Sequence, residues 1–154
     1  MKLRLLLLSH LGLTIASAAP EKPALSQAEA VKHCSQRTVD IEIRGRDQQG
    51  QWISHAAGTI LHEDGYILTC EHVTYPGLSQ QVILSDGTAY PFKVLARAGG
   101  SYDTAILKIE PHGKLPAVRL GHSEEVSKGQ KVMVIGNPAG RRHSIIHGTI
   151  DRKS

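Results

Sequence analysis

The sequence has 154 residues, in which 18 lysines and arginines outweigh 14 aspartates and glutamates to give a formal net charge of +4. This length is sufficient for one ordinary domain. The basic residues form no stripe interleaved with aromatic side chains. Such a stripe is the usual mark of nucleic-acid-binding proteins, so we expect no nucleic acid partner.

Residues 1–18 have the features of a secretory signal peptide. Lys2 and Arg4 precede an apolar run at 5–15, and residues 16–18 form a small-x-small cleavage motif. The run is about half the roughly 20 residues that a membrane-spanning helix requires; an uncleaved N-terminal anchor is the alternative. Cleavage predicts an exported protein, periplasmic or secreted, with no membrane partner in its mature form.

A proline-bearing linker, 19–25, precedes the one helix that the sequence predicts. Ser26 and Glu29 form a capping box, in which each side chain satisfies a backbone N–H group at the start of the helix. We expect the helix to end near Lys32.

The sequence contains two cysteines, Cys34 and Cys70. In an exported protein an even number of cysteines permits a disulfide, and here one Cys34–Cys70 bridge would use both. The spacing does not establish whether the two Cα atoms come within bonding distance. A disulfide and two free thiols are therefore both open at this point.

From residue 38 onward the hydrophobic period changes to two, which is typical of β-strands. Val39, Ile41 and Ile43 alternate with polar residues, so we expect a strand with one buried face. The Asp-Gly pairs at 64–65 and 86–87 predict two hairpins with type I′ turns, in which both central residues have positive φ. The other predicted strands cover 56–63, 66–73, 80–85, 88–96, 103–110, 131–137 and 144–151.

About eight short strands with one helix at the front indicate an all-β fold, either an antiparallel barrel or a sandwich. No helices alternate with the strands, which argues against a parallel α/β sheet. The hairpin at 131–151 carries several apolar side chains with few strands to cover them. We therefore expect it to be exposed and less ordered than residues 38–110.

His72 and Asp103 are candidates for a proton-handling pair. His72 lies where the strand predicted over 66–73 ends, and an imidazole takes up and returns protons near neutral pH. Asp103 opens an apolar strand, where simple solvation of a carboxylate is unfavourable, and an adjacent carboxylate fixes which ring nitrogen carries the proton. We predict that the two side chains meet within about 3 Å, with Asp103 the more buried.

Three other carboxylates are weaker candidates as the partner of His72. Asp64 and Asp86 lie in the predicted turns, where they have a local role. Glu71 is next to His72, and in an extended strand its side chain would point to the opposite face. Asp103 is therefore the preferred partner.

Four segments resemble, in order, the trypsin-like serine proteases of the HtrA (Deg) group. The segments contain an Asp-Gly hairpin followed by three motifs: Thr-x-x-His-Val, Asp-x-Ala-x-Leu-Lys-Ile and Val-x-x-Ile-Gly-Asn-Pro. The set is specific for this group, although each motif alone is weak evidence. The segments are 57–77, 82–110, 115–140 and 144–151.

The resemblance implies two six-stranded antiparallel β-barrels and hydrolysis of peptide bonds through an acyl-enzyme, with proteins or peptides as substrates. It implies that His72 is the general base and that Asp103 orients it. The sequence departs from the family at Ala57-Gly58, where Gly-Ser-Gly is usual, and at Cys70-Glu71, where asparagine is common.

The resemblance further implies that 26–120 form the first barrel and that 121–154 begin a second, truncated barrel. The family's nucleophilic serine lies in a Gly-x-Ser-Gly-Gly turn, which this sequence lacks. Ser101 and Ser144 have other contexts, so we predict that the chain has no nucleophile and is inactive alone. It is then either a fragment of a protease or a non-catalytic barrel that binds extended peptides.

A metal site formed by histidines is an alternative of another class. His143 and His147 are four residues apart, which would align them on a helix. Their segment is predicted to be a strand, in which this spacing corresponds to about 13 Å. Because neither Cys-x-x-Cys nor His-Glu-x-x-His occurs, we predict no metal site and no cofactor.

Overall fold

The computed structural model describes residues 25–75, 77–137, 140–141 and 143–151. The predicted signal peptide and all of the predicted linker except Leu25 lie outside these residues. Within the described ranges, no helix has the length and apolar character needed to cross a bilayer.

The N-terminal helix, α1, spans Gln27–Ser35 and begins with the predicted capping box. The backbone N–H of Glu29 donates to Ser26 Oγ at 3.3 Å, and the Glu29 carboxylate accepts from the backbone N–H of Ser26 at 2.9 Å. The helix continues past its predicted end at Lys32, because neither glycine nor proline interrupts the residues that follow.

Nine strands follow in the part of the chain that the structure describes. They are β1 (Thr38–Asp47), β2 (Gly50–His62), β3 (Tyr66–Thr69), β4 (Ser79–Ile83), β5 (Ala89–Pro91), β6 (Lys93–Arg97), β7 (Ala105–Lys108), β8 (Lys131–Gly136) and β9 (Ser144–Thr149). The first seven form one sheet in the order β5-β4-β1-β2-β3-β7-β6, and β8 pairs with β9. Every pairing is antiparallel, which confirms the all-β fold.

The seven-stranded sheet curls around its core. Its two edge strands, β5 and β6, are consecutive in the chain and separated only by Phe92. They act as one bent strand, which pairs with β4 at its start and with β7 at its end. Counted in this way, the sheet is the predicted six-stranded antiparallel barrel. Its core contains Val39, Ile41, Ile43, Ile60, Ile67, Val82, Leu107 and Ile109.

Strand β1 is buried on both faces, so the prediction of one solvent-exposed face is wrong. Asp40 and Glu42, on the polar face, are only 2% and 7% exposed. Because β1 lies between β2 and β4, neighbouring side chains cover this face. His55 from β2 contacts Asp40 at 3.2 Å, and Gln81 from β4 donates to Glu42 at 2.9 Å.

Both predicted Asp-Gly hairpins form, but their turns are not of type I′. Gly65 and Gly87 have φ values of 91° and 89°, whereas His143 is the one described non-glycine residue with positive φ. The aspartate before each glycine therefore lacks the second positive φ that a type I′ turn needs. Each glycine N–H donates to the carbonyl three residues earlier, at 3.0 Å and 2.9 Å, as in hairpin loops that end in a left-handed glycine.

The β8–β9 hairpin leaves much of its apolar surface in contact with solvent, as expected. Val134 and Ile146 are 57% and 58% exposed, and Ile145 is 39% exposed. Asn137, directly after β8, is by contrast only 5% exposed and contacts the barrel.

Candidate active site

His72 lies in a single 3-10 turn, Glu71–Thr74, which begins two residues after strand β3. The strand predicted over 66–73 ends at Thr69, and the buried Thr74 hydroxyl donates to the Glu71 carbonyl at 2.7 Å, which closes the turn. The turn redirects the Glu71 side chain, whose Oε2 accepts from the backbone N–H of Gly99 at 3.2 Å. Glu71 therefore holds the loop before β7.

Arg97, at the end of β6, fixes the same turn from another side. Its Nε donates to Thr74 Oγ1 at 3.0 Å, and its Nη2 donates to the Thr74 carbonyl at 3.1 Å. Arg97 and Thr74 were not predicted from the sequence. A threonine directly after the His-Val pair was a usable signal, because threonine hydroxyls commonly bond to nearby backbone groups. Nothing local distinguishes Arg97.

The Asp103 carboxylate contacts His72 at two points. Its Oδ2 lies 2.5 Å from His72 Nδ1, and its Oδ1 accepts from the His72 backbone N–H at 2.8 Å. The predicted meeting of the two side chains is thus confirmed. The backbone contact adds a restraint that the sequence did not predict, because it orients the carboxylate independently of the ring.

The His72 side chain is 66% exposed and that of Asp103 is 51% exposed. Asp103 is the less exposed of the two, as expected, but it is not withdrawn from solvent. Asp103 lies in the loop before β7, outside the apolar strand. The 3-10 turn covers one side of its carboxylate through the hydrogen bond from the His72 backbone N–H.

The hydrogen bonds from the His72 backbone N–H and from its ring lower the pKa of the Asp103 carboxyl below its ordinary value. The carboxylate is therefore anionic at neutral pH and accepts the proton on Nδ1. Nε2 is then the ring nitrogen with a free lone pair. This arrangement lets His72 accept a proton from a neighbouring hydroxyl, while Asp103 stabilises the resulting imidazolium.

A second pair of histidine and aspartate, His55 and Asp40, was not predicted from the sequence. His55 Nδ1 lies 3.2 Å and 3.4 Å from the two carboxylate oxygens of Asp40. The His55 side chain is 26% exposed and that of Asp40 is 2% exposed. The sequence feature that could have indicated this pair is an aspartate between two core residues of β1.

Asn137 gives this second pair a structural role. Its Nδ2 donates to Asp40 Oδ1 at 3.0 Å and to the Ala56 carbonyl at 3.1 Å, and its Oδ1 accepts from the His143 backbone N–H at 2.9 Å. The His55 ring also packs on Gly140, where an added Cβ would lie 3.2 Å from the ring. The pair therefore joins the barrel to the segment between β8 and β9.

Neither serine considered as a nucleophile forms a described hydrogen bond with His72. Ser101 is exposed in the loop before Asp103, and Ser144 Oγ donates to the Arg141 carbonyl at 2.9 Å. Within the described ranges, the hydrogen bonds of His72 go to Asp103 and none goes to a serine.

The two histidines considered for a metal site do not share a partner. His143 Nε2 lies 3.4 Å from the Thr38 carbonyl, and His147 Nε2 lies 3.0 Å from Gln27 Nε2. Cys34 and Cys70 are both free thiols, so the disulfide that the sequence left open does not form.

The chain matches the model of the trypsin-like peptidase domain over residues 56–154. The probable periplasmic serine endoprotease DegP-like of Ectopseudomonas mendocina (strain ymp) is 39% identical over 109 residues, which cover 71% of this chain and 22% of the relative. Serine protease HTRA1 of Xenopus laevis is 36% identical over 94 residues, covering 61% of this chain and 20% of the relative. The chain thus spans about a fifth of the length of these curated relatives.

Solved structures of HtrA-type proteases have the same fold as this chain. The HtrA-type protease AlgW with a decapeptide superposes with a TM-score of 0.70 at 24% identity, over 82% of this chain and 46% of the other. An AlgW variant with a tripeptide gives a TM-score of 0.72 at 28% identity, over 83% of this chain and 40% of the other. The chain therefore belongs to the trypsin-like peptidase family and, within it, to the HtrA group.

Proposed function

We propose that this chain supplies the general base, His72, and its orienting carboxylate, Asp103, to a serine endopeptidase. The observation that carries the proposal is the two-point contact between Asp103 and the exposed His72. The contact fixes the ring while one face of the imidazole stays open to a substrate and a nucleophile. Family membership supports the same reaction class.

In this reaction a serine hydroxyl attacks the carbonyl carbon of a peptide bond while His72 Nε2 takes the hydroxyl proton. The imidazolium then returns that proton to the leaving amine, and an acyl-enzyme forms. Water attacks the acyl-enzyme with the same residue as base, which releases the acid and restores the serine. Asp103 remains ionised throughout and stabilises the imidazolium.

The proposal takes the nucleophile from outside the 154 residues, with 26–120 as the first barrel and 121–154 as the start of the second. The exposed apolar side chains of the β8–β9 hairpin support this division, because further strands would cover them. On this account the 154-residue chain alone does not hydrolyse peptides.

The proposed substrates are proteins or peptides, and the proposed location is the periplasm. The solved relatives are described with bound peptides, and the curated relative from Ectopseudomonas mendocina is named as periplasmic. The signal peptide predicted at 1–18 is consistent with export.

The test uses the longest open reading frame that contains this sequence, assayed with casein and with a chromogenic peptide ester. We expect His72→Ala to lower kcat by about 10⁶-fold, because the hydroxyl loses its base. His122→Ala, at an exposed histidine outside the site, is the matched control and leaves kcat unchanged.

Two outcomes would contradict the proposal. One is hydrolysis by the 154-residue chain itself that His72→Ala abolishes, since the proposal takes the nucleophile from outside these residues. The other is a longest reading frame that binds peptides, lacks a Gly-x-Ser-Gly turn and hydrolyses nothing, since that result assigns the chain to the peptide-binding alternative.

A further inference from the structure

We propose that Cys70, His72 and Asp103 form a zinc-binding site, and that a bound zinc ion prevents His72 from acting as a base. The binding half of this proposal stands on the geometry of the three side chains. The inhibitory half rests on the proposed function.

The three residues bring three kinds of metal ligand to one point on the surface. The Cys70 sulfur, a ring nitrogen of His72 and a carboxylate oxygen of Asp103 all lie within 4.8 Å of one another. Sulfur, imidazole nitrogen and carboxylate oxygen are the three donor types that proteins use for zinc. Hard cations such as magnesium and calcium instead prefer sites made entirely of oxygen, so this mixed donor set favours zinc.

The distances require only a small adjustment. Tetrahedral zinc with bond lengths of about 2.0–2.3 Å places its donor atoms roughly 3.3–3.7 Å from one another. The ligand atoms of the three residues are at most 4.8 Å apart, which exceeds the tetrahedral distance by little more than 1 Å. All three residues are exposed, so their side chains can move by this amount without disturbing the core.

Asp103 faces Nδ1 of His72, and we therefore assign Nδ1 as the nitrogen ligand. Without metal, His72 Nδ1 and Asp103 Oδ2 are 2.5 Å apart and share a proton. The two atoms must separate by about 1 Å more to bind zinc between them. Zinc would thus replace the proton that the pair shares. The backbone N–H of His72 keeps its bond to Oδ1, which leaves the carboxylate correctly oriented.

The site has three protein ligands and a fourth position open to water. Glu71, which lies between Cys70 and His72 in the sequence, accepts a hydrogen bond from the backbone N–H of Gly99 instead. A three-ligand site at an exposed position is expected to bind zinc reversibly and less tightly than a closed four-cysteine site. Such a site is removed by chelators and is weakened by acid, because protons compete for the thiolate and the imidazole.

A zinc ion at this position would stop the reaction in a defined way. With Nδ1 bound to the metal and Asp103 drawn into its coordination sphere, the carboxylate no longer accepts an N–H from the ring. The imidazolium that peptide hydrolysis requires cannot form while the metal occupies Nδ1. Metal binding and proton transfer are therefore mutually exclusive.

The test titrates the 154-residue chain with Co²⁺ in a non-thiol reductant and then displaces the cobalt with Zn²⁺. We expect one equivalent to bind, with the near-ultraviolet charge-transfer band that a cobalt–thiolate bond produces. Cys70→Ser removes the band and weakens zinc binding by more than about 10-fold, and Asp103→Asn weakens zinc binding by a similar factor. Cys34→Ser is the matched control, since that thiol lies in α1, and it leaves both readouts unchanged.

A second readout requires no variant. Zinc should slow the alkylation of Cys70 by iodoacetamide at least about 10-fold and leave that of Cys34 unchanged, with EDTA restoring the original rate. Equal protection of both thiols, or a cobalt band that survives Cys70→Ser, would overturn the site. These readouts need no catalysis, so they decide the zinc site even if the longest reading frame hydrolyses nothing.

If the protein encoded by the longest reading frame hydrolyses esters, zinc should lower the rate of ester cleavage and EDTA should restore it. Zinc that binds through Cys70 without any change in rate would overturn the inhibitory half of the proposal.

Discussion

Two of the histidine–aspartate pairs in the described part of the chain have the same side chains in different surroundings. In the first, an exposed His72 is held by Asp103 at the ring and at the backbone. In the second, a partly buried His55 shares a buried Asp40 with Asn137. The residue types alone therefore do not define a catalytic pair. What separates the two is whether the imidazole is open to a reactant and whether the carboxylate serves that imidazole or a structural junction.

The largest expected difference between the pairs is in activity. In the longest reading frame, Asp103→Asn should lower kcat by about 10⁴-fold, because an amide can donate to Nδ1 and so favours the wrong tautomer of His72. Asp40→Asn should leave kcat per folded molecule nearly unchanged. The measurement is ester hydrolysis normalised to the concentration of folded protein. Equal losses in the two variants would remove the distinction between the pairs.

For stability we expect the opposite order, with the larger loss at the His55–Asp40 pair. His55→Ala removes a partner from the buried Asp40 carboxylate and should lower the free energy of unfolding of the 154-residue chain by about 1–3 kcal/mol. His72→Ala should have a smaller effect, because water can solvate the exposed Asp103 carboxylate. Urea unfolding measures both variants, with His122→Ala as the control at an exposed histidine. A larger loss at His72 than at His55 would contradict the assignment of a structural role to His55.

The 3-10 turn that presents His72 should depend on the buried Thr74 hydroxyl. Thr74→Val keeps the shape of the side chain but leaves the Glu71 carbonyl and Arg97 Nε without this partner. We expect a loss of about 1–2 kcal/mol in the free energy of unfolding, together with a shift of the His72 ring resonances. Thr149→Val, at an exposed position in β9, is the control. Unchanged ring resonances in Thr74→Val would show that the turn does not position His72.

The smallest expected effect is the pH dependence of the exposed pair. The folded-state pKa of Asp103 lies below the ordinary value of 3.8, so its bonds with His72 stabilise the fold at pH values above 3.8. This contribution is lost as the pH falls through the lowered pKa. Carbon-detected NMR titration of the Asp103 carboxyl gives that pKa directly. In His72→Ala the pKa should rise but stay lowered, because the backbone N–H bond is the largest cause of the shift. A wild-type pKa at or above 3.8 would contradict the geometry.

Several features could be predicted because the sequence information for them is local. The capping box at Ser26 and Glu29 was predictable from a four-residue motif, and the Asp-Gly hairpins from dipeptides between apolar strands. The contact of His72 with Asp103 was predicted from the place of each residue beside an apolar strand, and the resemblance to a known family implied the same pair. Each of these features is specified by a few residues that are close together or by a recurring motif.

Other features depend on contacts between distant segments. The polar face of β1 is covered by His55, Gln81 and Asn137, the last of them 97 residues from Asp40, and alternation within β1 carries no information about these partners. Residues 71–73 of the 3-10 turn were predicted as the end of the strand over 66–73, because this segment continues the extended run after the Asp-Gly turn. A turn forms there instead because one bond within it and two bonds from Arg97 stabilise it.

The tautomer of the neutral His72 ring is the most direct test of the account. The ¹⁵N chemical shifts of the ring, assigned by comparison with His72→Gln and measured at a pH where the ring is neutral, report which nitrogen carries the proton. Donation to Asp103 predicts a protonated Nδ1 and an unprotonated Nε2, which is the form that accepts a proton from a nucleophile. A protonated Nε2 with a bare Nδ1 would mean that Asp103 does not prepare His72 as a base.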